Sequence, residues 1–357
     1  MKRENVWSWR WGRIIILLGL LLFLVNAGGS LRRLRRDDLP PHSFTTPLQI
    51  VHLPEQYARR SSDFTANVIG SSALFVKDVR YQLNGSAWQP VGRGGRRAPA
   101  PLFVLELMPD TLLPGANQVA FEATTYFGYR HVITETFTYD PAPSSLPLTI
   151  DWANQELDVG DGVWEHFEFD GEWRVRTKPG YEGYDRLLVV AGAFSGGRRI
   201  ETDLIFRGTV NERDYGFGLL PMWAGRPDER SFSPKRGWNF SLVWYWSRYK
   251  GVGNEFSYRF ADDDPVWVNG YRDLDLQPNQ RYQLIIEAWP VTDTQGEHSH
   301  YHQRMKWWPA DQPEPEQWLT LNDTEGAPLP EGEYGVAFLA YYSQVDYGPV
   351  TITRIKD

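Results

Sequence analysis

Apolar and polar residues alternate with a period of two along most of the chain, the signature of strands that bury one face. Between residues 48 and 140 the alternation comes in short runs at 64–69, 76–83, 103–107, 118–123 and 131–139, separated by Gly, Pro and Asn. Helical periodicity is absent there. Short strands at this spacing predict a β-sandwich. From residue 150 onward strand-like runs continue at 167–169, 172–175, 186–191, 199–207, 215–222, 242–246, 256–260, 282–289, 300–308, 334–342 and 350–355. Asp170-Gly171, between the first two of these, is a strong two-residue hairpin signal. So many strands in one unit predict a large two-sheet sandwich of jelly-roll type. The segment 141–149 (PAPSSLPLT) is rich in Pro and Ser and reads as a linker.

One region breaks the pattern. Residues 14–25 (IIILLGLLLFLV) form an unbroken apolar run behind a basic segment. A run of this length fits the core of a signal peptide, and Val25-Asn26-Ala27 offers small residues for cleavage. Continued through Gly29, with Trp7, Trp9 and Trp11 as an aromatic belt, it fits a retained anchor equally well. Residues 1–30 are therefore read as a signal peptide or membrane-anchor helix. Residues 31–47 are read as a polar tether, with Pro40, Pro41 and Pro47. The expected location is extracytoplasmic, either single-pass anchored or secreted. Residues 48–140 and 150–357 are the two expected folded domains of an all-β chain.

Composition sharpens this reading. The chain has 357 residues, 37 basic and 45 acidic, with no cysteine. That length predicts two domains. The lack of cysteine removes disulfides, thiolate zinc sites, thiol nucleophiles and a lipoprotein anchor. Residues 1–36 carry eight basic residues and one acid, leaving 29 basic against 44 acidic residues for the rest. So acidic a folded part predicts no nucleic-acid partner, because phosphate binding needs a basic footprint. The 16 Trp and 18 Tyr are an excess that calls for a purpose.

Residues 48–140 resemble bacterial immunoglobulin-like modules. Tyr81-Gln82-Leu83-Asn84-Gly85 with Trp88 matches an early hairpin. Leu113-Pro114-Gly115-Ala116-Asn117-Gln118-Val119, leading to Ala123 and Gly128, matches a turn feeding a late core strand. The resemblance implies a spacer. Residues 150–357 resemble the concanavalin A-like lectin/glucanase superfamily, including its laminin-G-like members. The carrying residues are Trp173-Arg174-Val175, residues 198–208, Tyr215-Gly216-Phe217-Gly218-Leu219 and Tyr282-Gln283-Leu284. They continue with Met305-Lys306-Trp307-Trp308-Pro309-Ala310, Glu314-Pro315, Trp318 and the closing runs 335–342 and 348–355. This resemblance implies a jelly roll whose partner is a polysaccharide or other glycan.

Residues 201–208 (ETDLIFRG) look like the catalytic strand of family-16-type glucanases in that superfamily, Glu-x-Asp-x-Glu. There the first Glu is the nucleophile and the last the general acid/base. Glu201 and Asp203 match the first two positions, but Ile205 occupies the third, and an alkyl group donates no proton. The expectation is carbohydrate binding without catalysis, with Glu201 and Asp203 accepting hydrogen bonds from sugar hydroxyls. Two rivals stay open. One is a glycoside hydrolase or polysaccharide lyase whose acid is Glu255 or Glu287. The other is an envelope protein–protein interaction module.

Sugar rings present C–H faces that match flat indoles. Trp223, Trp244, Trp246, Trp267, Trp289, Trp307, Trp308 and Trp318 are the candidates, each also suited to a core. Trp244 and Trp246 share a strand face, whereas Trp307 and Trp308 point oppositely. Tyr215, Trp244 and Trp246 are the expected stacking surface. His298, His300 and His302 alternate, but on a flat strand they span about 13 Å, too wide for one ion. They are expected at an exposed hairpin tip, and no metal ligand is assigned. The superfamily resemblance leaves room for a structural calcium, for which residues 262–264 (DDD) form no complete loop. No other cofactor is expected.

Overall fold

In the computed structural model the described elements are β-strands, apart from one 3₁₀ turn over Pro109–Thr111. The structure describes residues 46–58, 66–91, 102–183, 186–209, 215–223, 276–320 and 331–355, together with the backbone of strands at 242–247, 254–259 and 266–272. Among the described residues no helix is long and apolar enough to cross a membrane. The apolar run at 14–25, almost all of the tether, and residues 262–264 lie outside the described residues.

The first eight strands are β1 (Leu48–His52), β2 (Gln56–Ala58), β3 (Ala66–Ser72), β4 (Val76–Leu83), β5 (Gln89–Pro90), β6 (Leu102–Leu107), β7 (Gly115–Thr125) and β8 (Arg130–Asp140). They build a three-stranded sheet, β1-β3-β6, and a five-stranded sheet, β2-β8-β7-β4-β5. Tyr57, Val68, Val119 and Phe121 belong to their common core and are fully buried. The turn after β4 has Asn84 and Gly85 at φ of 49° and 75°. Positive φ at both positions suits the right-handed twist of a hairpin, which explains the Asn-Gly pair.

The larger unit continues with β9 (Leu148–Ile150), β10 (Asp158–Asp161), β11 (Trp164–Phe169), β12 (Glu172–Thr177), β13 (Arg186–Phe194), β14 (Arg198–Thr209), β15 (Tyr215–Trp223) and β16 (Leu242–Ser247). It ends with β17 (Asn254–Arg259), β18 (Val266–Arg272), β19 (Arg281–Thr292), β20 (His298–Pro309), β21 (Leu319–Thr320), β22 (Tyr334–Tyr341) and β23 (Ser343–Arg354). One sheet has seven strands, β10-β13-β22-β15-β16-β17-β18. The other has eight, β11-β12-β23-β14-β19-β20-β21, with β9 beside β23. Inward residues of both sheets, among them Leu188, Leu204, Phe217, Ile286 and Phe338, form one core. Phe338 stacks on Tyr347 at 4.0 Å between ring centroids, one ring from each sheet. Asp170 and Gly171 again take positive φ, 52° and 77°, and close the β11–β12 hairpin.

Trp223 and Trp307 are core residues and Trp308 is half-buried, so the alternation across 307–308 is observed. Gln303, on the core face of β20, is fully buried and its carboxamide has no hydrogen-bond partner among the described residues. A buried unpaired amide costs about 1–3 kcal/mol. Gln303→Met keeps the volume and removes that cost. It should raise the urea midpoint by a stability gain of about 1 kcal/mol or more, at unchanged m-value.

The larger sandwich packs against the outer face of the β1-β3-β6 sheet. Asn67 Nδ2 donates to the Gly160 carbonyl at 2.7 Å, and His52 Nε2 accepts from the Val159 N–H at 3.0 Å. Ile69 belongs to the larger core, with Val51 and Val104 packed against it. A recess of about 370 Å³ at this seam is lined by residues that include Gln56, Trp152, Glu156 and Asp158. The Glu156 carboxylate there accepts the backbone N–H groups of Glu55 and Gln56, so it serves the joint.

Candidate functional site

The residues with the densest chemistry lie on the outer face of the eight-stranded sheet. On β14 the core takes Ile200, Leu204 and Phe206. Strand alternation therefore turns Arg199, Glu201, Asp203, Ile205 and Arg207 outward. Register then aligns rows across three strands. Arg199 pairs with Glu287 of β19, which pairs with Arg304 of β20. One row along, Glu201 pairs with Ile285, which pairs with Lys306. Opposite charges facing each other across strands stabilise the sheet.

The first row is a cation–anion–cation bridge. Arg199 donates to Glu287 at 2.9 Å and to Glu201 at 2.5 Å, while Arg304 holds the other Glu287 oxygen at 2.5 Å. Burial lowers the pKa of the Arg199 guanidinium, and hydrogen bonds to Glu201 and Glu287 more than reverse this, for a net rise. Trp318, just before β21, lies over this row. Its ring centroid is 4.2 Å from the Arg304 guanidinium carbon and 4.8 Å from the Lys306 ammonium. Arg304 also faces Trp289 at 5.3 Å, and Trp289 packs on His302 at 4.4 Å. The cations clamp two half-buried indoles against a rigid sheet. Beside them the carboxylates of Glu201 and Glu314 are 46% and 44% exposed.

Asp203 departs from its expected role as a sugar acceptor. It is 4% exposed. One oxygen is bound by Arg174 and the other by Arg281, the latter at 2.7 Å. A register shift in the β14–β23 pairing places residues 348–349 across from it. A methyl group on Gly348 would overlap its carboxylate, so glycine makes the space. Burial lowers the Arg281 pKa, and the hydrogen bond and charge of Asp203, with Glu172 beside it, more than reverse this, for a net rise. Arg174 is 1% exposed and also reaches Glu172 at 3.3 Å. Asp346, fully buried on β23, binds Arg207. These groups form a buried ion cluster further along the same sheet face. Ile205, paired with Arg281 and Asp346, is buried within it.

The remaining expected residues lie on the other sheet. Tyr215 stacks on the core residue Phe206 at 5.5 Å and packs against the sandwich core. Trp246 and Trp244 stand opposite Gly216 and Gly218 in the β15–β16 register, while Tyr215 stands opposite Ser247. Tyr215 has the parity of Phe217, a core residue. The structure thus places Glu201 apart from Tyr215, Trp244 and Trp246. The side chains of Trp244, Trp246, Glu255 and Trp267 lie outside the described residues. Glu287, the rival acid, has both oxygens committed to guanidinium groups. His298, His300 and His302 open β20, next to the turn closed by Asp293 and Glu297. Among the described residues, no cluster of three or more His, Asp or Glu is placed to hold a metal ion.

Arg199, Arg304 and Lys306 are not legible as site residues in the sequence, and Trp318 is only one of eight candidate tryptophans there. The signal was the alternation of charge in 199–203 and 304–306, which becomes a platform only once the strands are in register.

No family model matches the chain, and no curated protein matches it in sequence. Solved structures with similar outlines include a carbohydrate-binding module from Bacillus subtilis, 12% identical over 55% of this chain and 94% of that one, with a TM-score of 0.32. A galectin-like protein of unknown function from the same organism is 9% identical over 60% of this chain and 97% of that one, with a TM-score of 0.33. The calcium-bound exoplasmic/lumenal domain of VIP36 is 12% identical over 55% of this chain and 84% of that one, with a TM-score of 0.34.

Proposed function

We propose that this chain is an exported glycan-binding protein and that the outer face of its eight-stranded sheet is the binding platform. The observation that carries this is the pairing of Trp318 and Trp289, each clamped by Arg304, with the half-exposed carboxylates of Glu201 and Glu314. Indoles fixed by cations offer flat apolar faces to sugar C–H groups at little entropic cost. Carboxylates and guanidinium groups beside them match vicinal hydroxyls as acceptors and donors. Placement on strands gives the precision that recognition needs.

Binding is read as non-catalytic. Ile205 offers no proton, and the Glu287 and Asp203 carboxylates are held by arginines. The smaller sandwich is read as an immunoglobulin-like spacer, and residues 1–30 as the signal or anchor that places the protein outside the cytoplasm. A second reading puts the glycan on the seven-stranded sheet, where β16 pairs Trp244 and Trp246 with Gly218 and Gly216.

The test is electrophoresis of the full chain in mild detergent through native gels cast with a panel of polysaccharides. Retardation by one glycan class supports binding. New reducing ends or unsaturated products from that glycan would establish an enzyme instead. A folded chain retarded by none would remove the proposal in favour of protein–protein interaction.

A further inference from the structure

The smaller sandwich carries a group of exposed apolar side chains at one end. Phe127 is 81% exposed, Tyr129 75% and Tyr126 65%, all on the β7–β8 turn. Leu74 and Phe75, 48% and 37% exposed, stand on the adjacent β3–β4 turn, and the two turns are joined by the Tyr126 N–H to Phe75 carbonyl bond at 3.0 Å. The aromatic turn is not loose. Thr125 N–H donates to the Tyr129 carbonyl at 2.9 Å, Gly128 N–H to the Thr125 carbonyl at 3.0 Å, and Tyr129 N–H to Thr125 Oγ1 at 3.1 Å. Gly128 takes φ of 84°, which closes the turn. A folded protein that holds three aromatics in water in one shape presents them to something.

Topology says what lies there. Leu48, the first residue of β1, pairs with Ser72, and the Pro47 carbonyl accepts the Ala73 N–H at 3.2 Å. The chain therefore enters this sandwich beside Leu74 and Phe75. The residues before it hold the apolar run 14–25, followed by Arg32, Arg33, Arg35 and Arg36. The larger sandwich packs on the outer face of the β1-β3-β6 sheet, from Val51, Ile69 and Val104 toward the opposite end. β8 starts at the aromatic turn and runs eleven residues to Asp140, about 35 Å away. At that far end Glu55 and Asn67 make the joint with residues 156–160. The apolar tip faces the tethered end of the chain, and the candidate glycan platform belongs to the larger sandwich.

We infer that the tip formed by Leu74, Phe75, Tyr126, Phe127 and Tyr129 inserts into the interface of a lipid bilayer, a second contact that stands the protein upright on the membrane. Tyr and Phe suit this zone, where one part of a ring is wet and the other apolar. Exposed Arg130 and Lys77 flank the tip and reach headgroup phosphates, with Asp78 beside Lys77 at 3.8 Å. This inference rests on the anchor reading of residues 1–30 and does not depend on glycan binding.

The lack of cysteine makes the test clean. Phe127→Cys and, separately, Phe75→Cys are spin-labelled in the full chain, with exposed Glu316→Cys as the aqueous control. Each is reconstituted into phosphatidylcholine vesicles containing anionic phosphatidylglycerol. Collision of the label with oxygen is compared with collision with a water-soluble nickel chelate. Insertion predicts an oxygen-to-nickel ratio at positions 127 and 75 about threefold above that at 316, as for groups at the headgroup–acyl boundary. A ratio equal to the control at both positions overturns the inference. Labels shielded from both reagents also overturn it, because that is the signature of a protein contact. A chain recovered free of vesicles after flotation overturns it as well.

Discussion

Arg174→Ala should destabilise the fold by about 3–5 kcal/mol, because removing one partner of a buried ion pair leaves the other charge buried. Arg174 is 1% exposed and binds Asp203, which is 4% exposed. It also touches the Asp346 carbonyl at 3.4 Å and Glu172 at 3.3 Å. The truncation thus removes a guanidinium from between the Asp203 and Glu172 carboxylates and opens a cavity. Arg281 holds the same carboxylate, but its side chain is 39% exposed. Water replaces it more easily, so Arg281→Ala should cost clearly less. The check is urea unfolding of both variants against the parent. A loss below about 1 kcal/mol for Arg174→Ala would mean that water reaches Asp203 and that the cluster is a surface network.

The second large effect concerns binding. Trp318→Ala should weaken affinity for the recognised glycan by about thirtyfold, the size expected for a central aromatic anchor worth about 2 kcal/mol. The side chain is half-buried and lies over Arg304, Lys306 and Arg199. Its loss removes the stacking surface while the charge row Arg199–Glu287–Arg304 keeps its ion pairs. Near-native stability with lost affinity is therefore the expected combination, measured by calorimetric titration and urea unfolding. Glu201→Gln keeps the shape and one acceptor oxygen, so it should cost less affinity. Unchanged affinity in Trp318→Ala would take the glycan off this platform.

What could be read in the sequence was mostly local. Asp170-Gly171 and Asn84-Gly85 announce hairpins because only such residues accept two consecutive positive φ values. The opposite facing of Trp307 and Trp308 needs nothing beyond strand parity. Strands β13, β15 and β22 are buried on both faces, so they read as continuous apolar runs and their alternation is faint. The site was less legible because it is a product of register. Arg199 and Glu287 are 88 residues apart, and Arg174 and Asp203 are 29 apart on strands that are not neighbours. Glu201 and Asp203 alternate as expected, yet one is half-exposed and the other enclosed. The difference comes from Gly348 and Arg174, which no local pattern brings to Asp203. The place of Tyr215 depends on register in the same way. It stands opposite Ser247, so it falls on the core side of β15.

The most direct measurement is hydroxyl-radical footprinting of the full chain with and without the glycan that retards it. The account predicts protection of Trp289, Trp308 and Trp318, with Trp244 and Trp246 oxidised equally in both samples. Protection confined to Trp244 and Trp246 would contradict it and place the glycan on the seven-stranded sheet.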